Sequence, residues 1–149
     1  MRTAALTLAI LGLAAIAGAH VTVSPRESKA GATQKYLVRV PTEGKVSTVS
    51  VDLEIPSDVE ITEVSAPAGA THEEKRQAGR IIAITWTIEI KPGDMAELPF
   101  TATNPTSGAS ISWKAHQHFA DGTTTDWSGA VGQPRPAART TLAPAEPKQ

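Results

Sequence analysis

One histidine in this chain sits where its chemistry would differ from that of the other three. It follows a run of small residues, Ala17-Gly18-Ala19-His20, and the small-x-small triplet ahead of it is the pattern a signal peptidase cuts. A cut between Ala19 and His20 would leave a histidine with a free α-amino group. The amine nitrogen and the imidazole Nδ1 of such a residue close one chelate ring around a metal ion. The second donor costs little extra ordering entropy, because it is already tethered to the first. The chain has no cysteine, and Met95 is the only methionine after residue 19, so thiolate and thioether donors are almost absent. A metal at this terminus is therefore held by nitrogen and oxygen, the donors that copper(II) prefers.

A rival constellation is His116-x-His118. On a strand these two side chains share a face, at a spacing that suits one metal ion. If either reached His20, the result would be a two-histidine brace like that of lytic polysaccharide monooxygenases or CopC-like proteins, and an oxidative copper enzyme. The alternative is two histidines on an ordinary half-exposed strand, alternating with Ala115, Gln117 and Phe119. Two further carboxylates lie within conceivable reach of the terminus. Glu27 comes seven residues after His20, just past Pro25, and Asp126 is a weaker choice beside Trp127. Neighbours on a strand face opposite ways, so Asp126 and Trp127 should not both point at one metal. His72 lies in a polar stretch beside Glu73 and Glu74 and has no second histidine at zinc-site spacing. No Gly-x-Ser-x-Gly, P-loop or His-Glu-x-x-His motif occurs, so the catalytic classes those motifs mark are unsupported, and the chain is not read as an enzyme.

The elements that must position these residues form one domain. Residues 1–19 read as a signal peptide, with Arg2 as the charged start and an apolar run of about Ala4 to Ile16, too short for a comfortable membrane span. That places the protein outside the cytoplasm, secreted or periplasmic. Of 149 residues, 130 follow the cut, enough for a single core. They carry 13 basic and 15 acidic side chains, which is no electrostatic footprint for nucleic acid or for an anionic membrane.

From His20 on, the pattern is alternation rather than a 3.6-residue stripe. Strands are expected at His20–Ser24, Gln34–Val40, Val46–Ile55, Val59–Val64, Arg80–Ile90, Met95–Thr103, Ala109–Phe119 and Thr123–Trp127. Proline or glycine punctuates most of their ends. Ala66–Gly79 reads as a loop or irregular hairpin, and Asp121-Gly122 as a hairpin turn. Trp86 and Trp113 fall within apolar alternation and read as core. After Gly132, four prolines and many alanines predict a flexible tail over 133–149, with no apolar run able to span a bilayer. Seven to eight short strands with regular turns predict an all-β, immunoglobulin-like antiparallel sandwich without a disulfide, its domain running over 20–132.

The ordered set His20-Val21-Thr22-Val23-x-Pro25, Ala30-Gly31, Tyr36-x-x-Arg39-Val40-Pro41-Thr42-Glu43 and Asp126-Trp127-Ser128-Gly129 resembles the YcnI family of bacterial copper-binding domains. The likeness spans His20 to about Gly129. It implies an immunoglobulin-like sandwich holding copper(II) through a mono-histidine brace, formed by the amine and imidazole of the first residue. Carried onto this chain, it makes His20 the brace, Glu43 the first choice of carboxylate ligand and Trp127 the tryptophan close to the metal. An indole N–H has no lone pair to give, so Trp127 would cover one axial side with its ring face. Each has a plainer alternative: Glu43 as a solvated turn residue, Trp127 as part of the core. Members sit with other copper-handling genes and are read as metallochaperones rather than enzymes, so the partners expected for this chain are the copper ion and membrane copper transporters or other copper-handling proteins. Some members carry a C-terminal membrane anchor, and this sequence departs from them there. A metal-free immunoglobulin-like partner-binding module is the third reading.

Overall fold

A computed structural model describes residues 19–147. Apart from Ala19, the expected signal peptide lies outside the described residues. Among the described residues there is no helix, and so none long and apolar enough to cross a membrane.

Twelve strands follow one another: β1 Thr22–Ser24, β2 Glu27–Lys29, β3 Thr33–Pro41, β4 Thr48–Glu54, β5 Glu60–Val64, β6 Thr71–Gln77, β7 Arg80–Ile90, β8 Met95–Thr103, β9 Ser110–Trp113, β10 Ala115–Phe119, β11 Thr124–Trp127 and β12 Ala138–Ala143. One sheet has the order β1-β3-β8-β5, a second β11-β10-β4-β7-β6, and a third β2-β12-β9. Only Lys114 separates β9 from β10, so the second and third sheets meet along one line of chain. Every strand pair is antiparallel except β2 with β12. The immunoglobulin-like sandwich expected from the alternation is the observed fold.

Alternation produced this architecture by burying one face of each long strand. Tyr36, Val38 and Val40 of β3, Leu98, Phe100 and Ala102 of β8, Val51 and Leu53 of β4, and Ile84 and Trp86 of β7 meet between the sheets. Trp86 and Trp113 are fully buried, as expected. Each such side chain contributes ~1.5–3 kcal/mol relative to leaving it exposed. Their polar atoms are satisfied: the Trp86 indole donates to the Ser65 carbonyl at 2.9 Å, and the Trp113 indole to Thr140 Oγ1 at 3.0 Å. Of the resemblance motifs, Tyr36 is core and donates its hydroxyl to Asn104 Oδ1 at 2.6 Å, whereas Arg39 is an exposed partner of Glu97.

The structure corrects the strand count from seven or eight to twelve, for four reasons. Residues 66–79, expected as a loop or irregular hairpin, contain β6, so His72 lies on a strand opposite Trp86. β6 is exposed throughout, so no alternation marks it, and pairing to β7 holds it. The expected strand Ala109–Phe119 is two, β9 and β10, each belonging to a different sheet. β2 follows β1 after the cis Ser24–Pro25 peptide and changes sheets. Finally, the proline- and alanine-rich stretch expected as a flexible tail contains β12, which buries Thr140 and Leu142 and pairs with β9 and β2.

Candidate metal centre

Three pieces of chain converge at one rim of the sandwich. The first is the segment entering β1. His20 is exposed, and its imidazole centroid lies 5.5 Å from the Trp127 ring, tilted by 53°. Just ahead of it, the main-chain nitrogen of Ala19 donates to Glu43 Oε1 at 2.9 Å.

The second piece is the β3–β4 connection that carries Glu43. Thr42 is buried and tied down on both sides. Its N–H donates to the Asp94 carbonyl at 3.0 Å, its carbonyl accepts from Gly93 N–H at 2.8 Å, and its hydroxyl shares a 2.7 Å hydrogen bond with Thr48. Gly44 has φ 80°, a left-handed conformation that side chains rarely adopt, and turns the chain directly after Glu43. The exposed carboxylate thus sits on a short, anchored loop.

The third piece is the end of β11 with the Asp126-Trp127-Ser128-Gly129 motif. Gly129 N–H donates to the Arg135 carbonyl at 2.9 Å, and Ala137 N–H to the Gly129 carbonyl at 2.9 Å. A Cβ at position 129 would lie 2.8 Å from the Arg135 carbonyl oxygen, so this close approach requires glycine. The clasp returns Arg135 to the same rim. There Ala19, Pro41, Glu43, Gln117, Trp127 and Arg135 border a cleft of about 290 Å³.

Gln117 links the second and third pieces, and sequence reasoning missed it. It is 2 % exposed, on the inward phase of β10. Its Oε1 accepts from the Trp127 indole at 3.1 Å, and its Nε2 donates to the Pro41 carbonyl at 3.0 Å and to Thr48 Oγ1 at 2.7 Å. One amide therefore fixes the Trp127 ring and the loop carrying Glu43. The available signal was a polar residue in step with the buried Trp113 and Ala115, where a core side chain is due.

Of the sequence-predicted site residues, the structure sets His20 against Trp127 and places Glu43 and Trp127 on one cleft, with Glu43 bonded to the residue before His20. It does not bring Glu27 or Asp126 to them. Glu27 is exposed on β2, in register with Thr141 of β12. Asp126 points to the outer face, opposite Trp127, as strand alternation requires. There it meets His116, whose Nδ1 lies 2.6 Å from Asp126 Oδ1 and whose Nε2 lies 2.9 Å from Glu54 Oε2, both at hydrogen-bond distance. Burial pulls the His116 pKa down, but the hydrogen bonds and charges of the two carboxylates outweigh it and hold it above the ordinary histidine value. His118 donates from Nε2 to Asp52 Oδ2 at 2.7 Å, and its Nδ1 shares a 3.0 Å hydrogen bond with Thr124. Neither histidine joins His20. Among the described residues, no group of three or more histidines and carboxylates is placed to hold a metal ion.

The fold and this rim define an immunoglobulin-like β-sandwich in which His20 lies against a tryptophan and the preceding residue bonds a carboxylate. A family model described as a domain of unknown function, DUF1775, matches residues 61–146. The Copper-binding protein CutI of Bacillus subtilis (strain 168) is 31 % identical over 140 residues, 92 % of this chain and 69 % of that protein. The chain belongs to the DUF1775 family, the YcnI-like domains that its motifs resemble. Among solved structures, an uncharacterized protein from Nocardia farcinica with an immunoglobulin-like fold superposes with a TM-score of 0.73 at 25 % identity, over 83 % of this chain and 98 % of that one. A cohesin module from a Clostridium perfringens family 33 glycoside hydrolase shares the fold alone, with a TM-score of 0.54 at 14 % identity over 83 % of this chain and 96 % of that one.

Proposed function

We propose that this protein binds copper(II) outside the cytoplasm and hands it to, or withholds it from, membrane copper proteins. The ligands would be the amine and imidazole of His20, freed by cleavage after Ala19, and the carboxylate of Glu43. The Trp127 ring would cover one side. The CutI name supports the copper part of this reading. The observation that carries the site is the 2.9 Å hydrogen bond from the Ala19 nitrogen to Glu43. Successive residues lie about 3.8 Å apart, so the His20 nitrogen is one short step from an anchored carboxylate. Removing Ala19 frees that carboxylate and creates the amine together.

The donor set suits the ion. Two nitrogens and a carboxylate oxygen match copper(II), and the nearly sulfur-free composition disfavours copper(I). The indole nitrogen is committed to Gln117, so Trp127 acts through its ring face rather than as a donor. The amine must be neutral to bind, with an ordinary pKa of about 7.7–8.0, so affinity falls as pH drops. Titrating copper(II) into the chain beginning at His20 and into the same chain with its α-amine acetylated tests the proposal. The blocked chain should bind about 100-fold more weakly or worse, because the amine leaves the chelate. Equal affinities would refute it.

A further inference from the structure

The end of the five-stranded sheet away from Trp127 is built differently from the rest of the sandwich. β6 closes that sheet and pairs only with β7. Among the described residues, no backbone hydrogen bond joins residues 71–77 to any other segment. All seven residues of β6 are exposed. A strand covered on one face would bury every second residue. His72 and Glu74 share the phase of Trp86 and Ile84, the buried residues opposite them, yet both stand in solvent. Among the described residues, then, β6 overhangs the opposite sheet, with both faces and its outer edge open. The register shift in the hairpin comes from an extra residue on β7, Ile82, so β6 itself stays regular.

A free edge seven residues long invites strand pairing, and charged side chains usually deter it. Here the charges carry both signs in a set order, Glu73-Glu74-Lys75-Arg76. Glu74 is the middle residue of the strand. A second β6 laid antiparallel about a two-fold axis at Glu74 pairs the full strand. Glu73 of each copy then faces Lys75 of the other, on the outer face of the sheet. Thr71 faces Gln77, and His72 faces Arg76. Glu74 meets its own copy, but it already accepts from Arg76 Nη2 of its own chain at 2.7 Å. The centre therefore holds two guanidinium–carboxylate pairs rather than two unmatched anions. Opposite charges directly across two strands attract, whereas a partner strand of one sign, or an apolar one, would leave half of these ions unmatched.

We propose that β6 is a self-recognition edge, along which two copies of this protein join and merge their five-stranded sheets into one of ten strands. The interface is isologous, so it closes at two copies. Backbone hydrogen bonds along β6 supply affinity, and the Glu73–Lys75 pairs fix the register. The contact is small and polar, of the transient class. β6 and β11 are opposite ends of the sheet, so the rims that carry Trp127 both stay open. Nine strand spacings of about 4.8 Å set the two β11 strands roughly 43 Å apart. The pairing needs no copper and does not rest on the function proposed above.

Sedimentation equilibrium of the metal-free processed chain at about 0.5 mM and low ionic strength should show a monomer–dimer equilibrium. Lys75→Glu sets like charges opposite each other at both outer pairs and should weaken the dimer about tenfold or more at unchanged Tm. Glu73→Lys with Lys75→Glu exchanges the charges and should restore it. The chain has no cysteine, so Glu74→Cys should cross-link to its own copy under mild oxidation. Gln77→Cys, about 20 Å from its copy in this register, should not. A monomer at that concentration, a dimer indifferent to Lys75→Glu, a charge exchange that fails to restore it, or cross-linking of Gln77→Cys in place of Glu74→Cys would each overturn the proposal.

Discussion

On the outer face of β10, all four ring nitrogens of His116 and His118 are engaged, whereas at the rim, among the described residues, the ring nitrogens of His20 have no hydrogen-bond partner. The outer pair is part of a stitch across four strands. Thr85 on β7 donates to Asp52 on β4, which accepts from His118 on β10, which in turn bonds Thr124 on β11. Glu54, His116 and Asp126 repeat the pattern one step along. A metal arriving there would have to displace partners already in place. A metal arriving at His20 would displace none of its ring contacts except packing against Trp127. Histidines beside carboxylates hold strands together where every donor is used, and they offer a binding site where the donors are spare.

The largest effect expected from this contrast separates the two regions outright. His20→Ala in the processed chain should abolish tight copper(II) binding, a loss of about 100-fold or more. His116→Ala with His118→Ala should leave one copper per chain. Equilibrium dialysis with metal analysis reads both, and loss of binding in the double variant would move the site to β10 and favour the oxidative enzyme.

A smaller effect is expected at the residue supporting the rim. Gln117→Leu leaves the Trp127 indole, the Pro41 carbonyl and the Thr48 hydroxyl short of a partner, at a cost of about 1–3 kcal/mol per buried group left unsatisfied. Chemical denaturation should show a loss within that range or somewhat above it. Copper affinity should fall as well, because Trp127 and the loop carrying Glu43 lose their shared clamp. A stability loss with unchanged affinity would make Gln117 a core residue only.

The smallest effect belongs to the outer face and depends on pH. The folded-state pKa of His116 lies above its unfolded value of about 6.5. Its contribution is therefore fully present below about pH 6.5 and is lost as pH rises through the folded pKa. His116→Ala should destabilise the domain more at pH 5.5 than at pH 8.5, as read from denaturation midpoints. Glu54 and Asp126 are both more than half exposed, so the difference is modest. An equal loss at both pH values would mean that the imidazole works by packing rather than by charge.

Much of the sandwich was legible because its long strands bury one face. β7 and β8 were expected with the bounds they have, and β3 and β4 nearly so. Where no face is buried, alternation carries no information, and β6 was read as loop for that reason. β12 buries only Thr140 and Leu142 within a run whose alanines and prolines mimic a tail. At the rim, His20 was legible because a cleavage pattern precedes it. Glu43 and Trp127 came only through a family likeness, since nothing in spacing ties residue 43 to residue 20. Gln117 could not be reached by either route, because its role lies in three hydrogen bonds that join pieces distant in sequence.

The measurement closest to the central claim is electron paramagnetic resonance of copper(II) titrated into the exported chain, after its leading residue is identified by intact mass. The account predicts a chain that starts at His20 and one copper(II) saturating it. The spectrum should show coupling to a single imidazole and an amine, and it should be lost when the His20 amine is acetylated. A chain starting at any other residue, two coupled imidazoles, or the same spectrum with the amine blocked would contradict it.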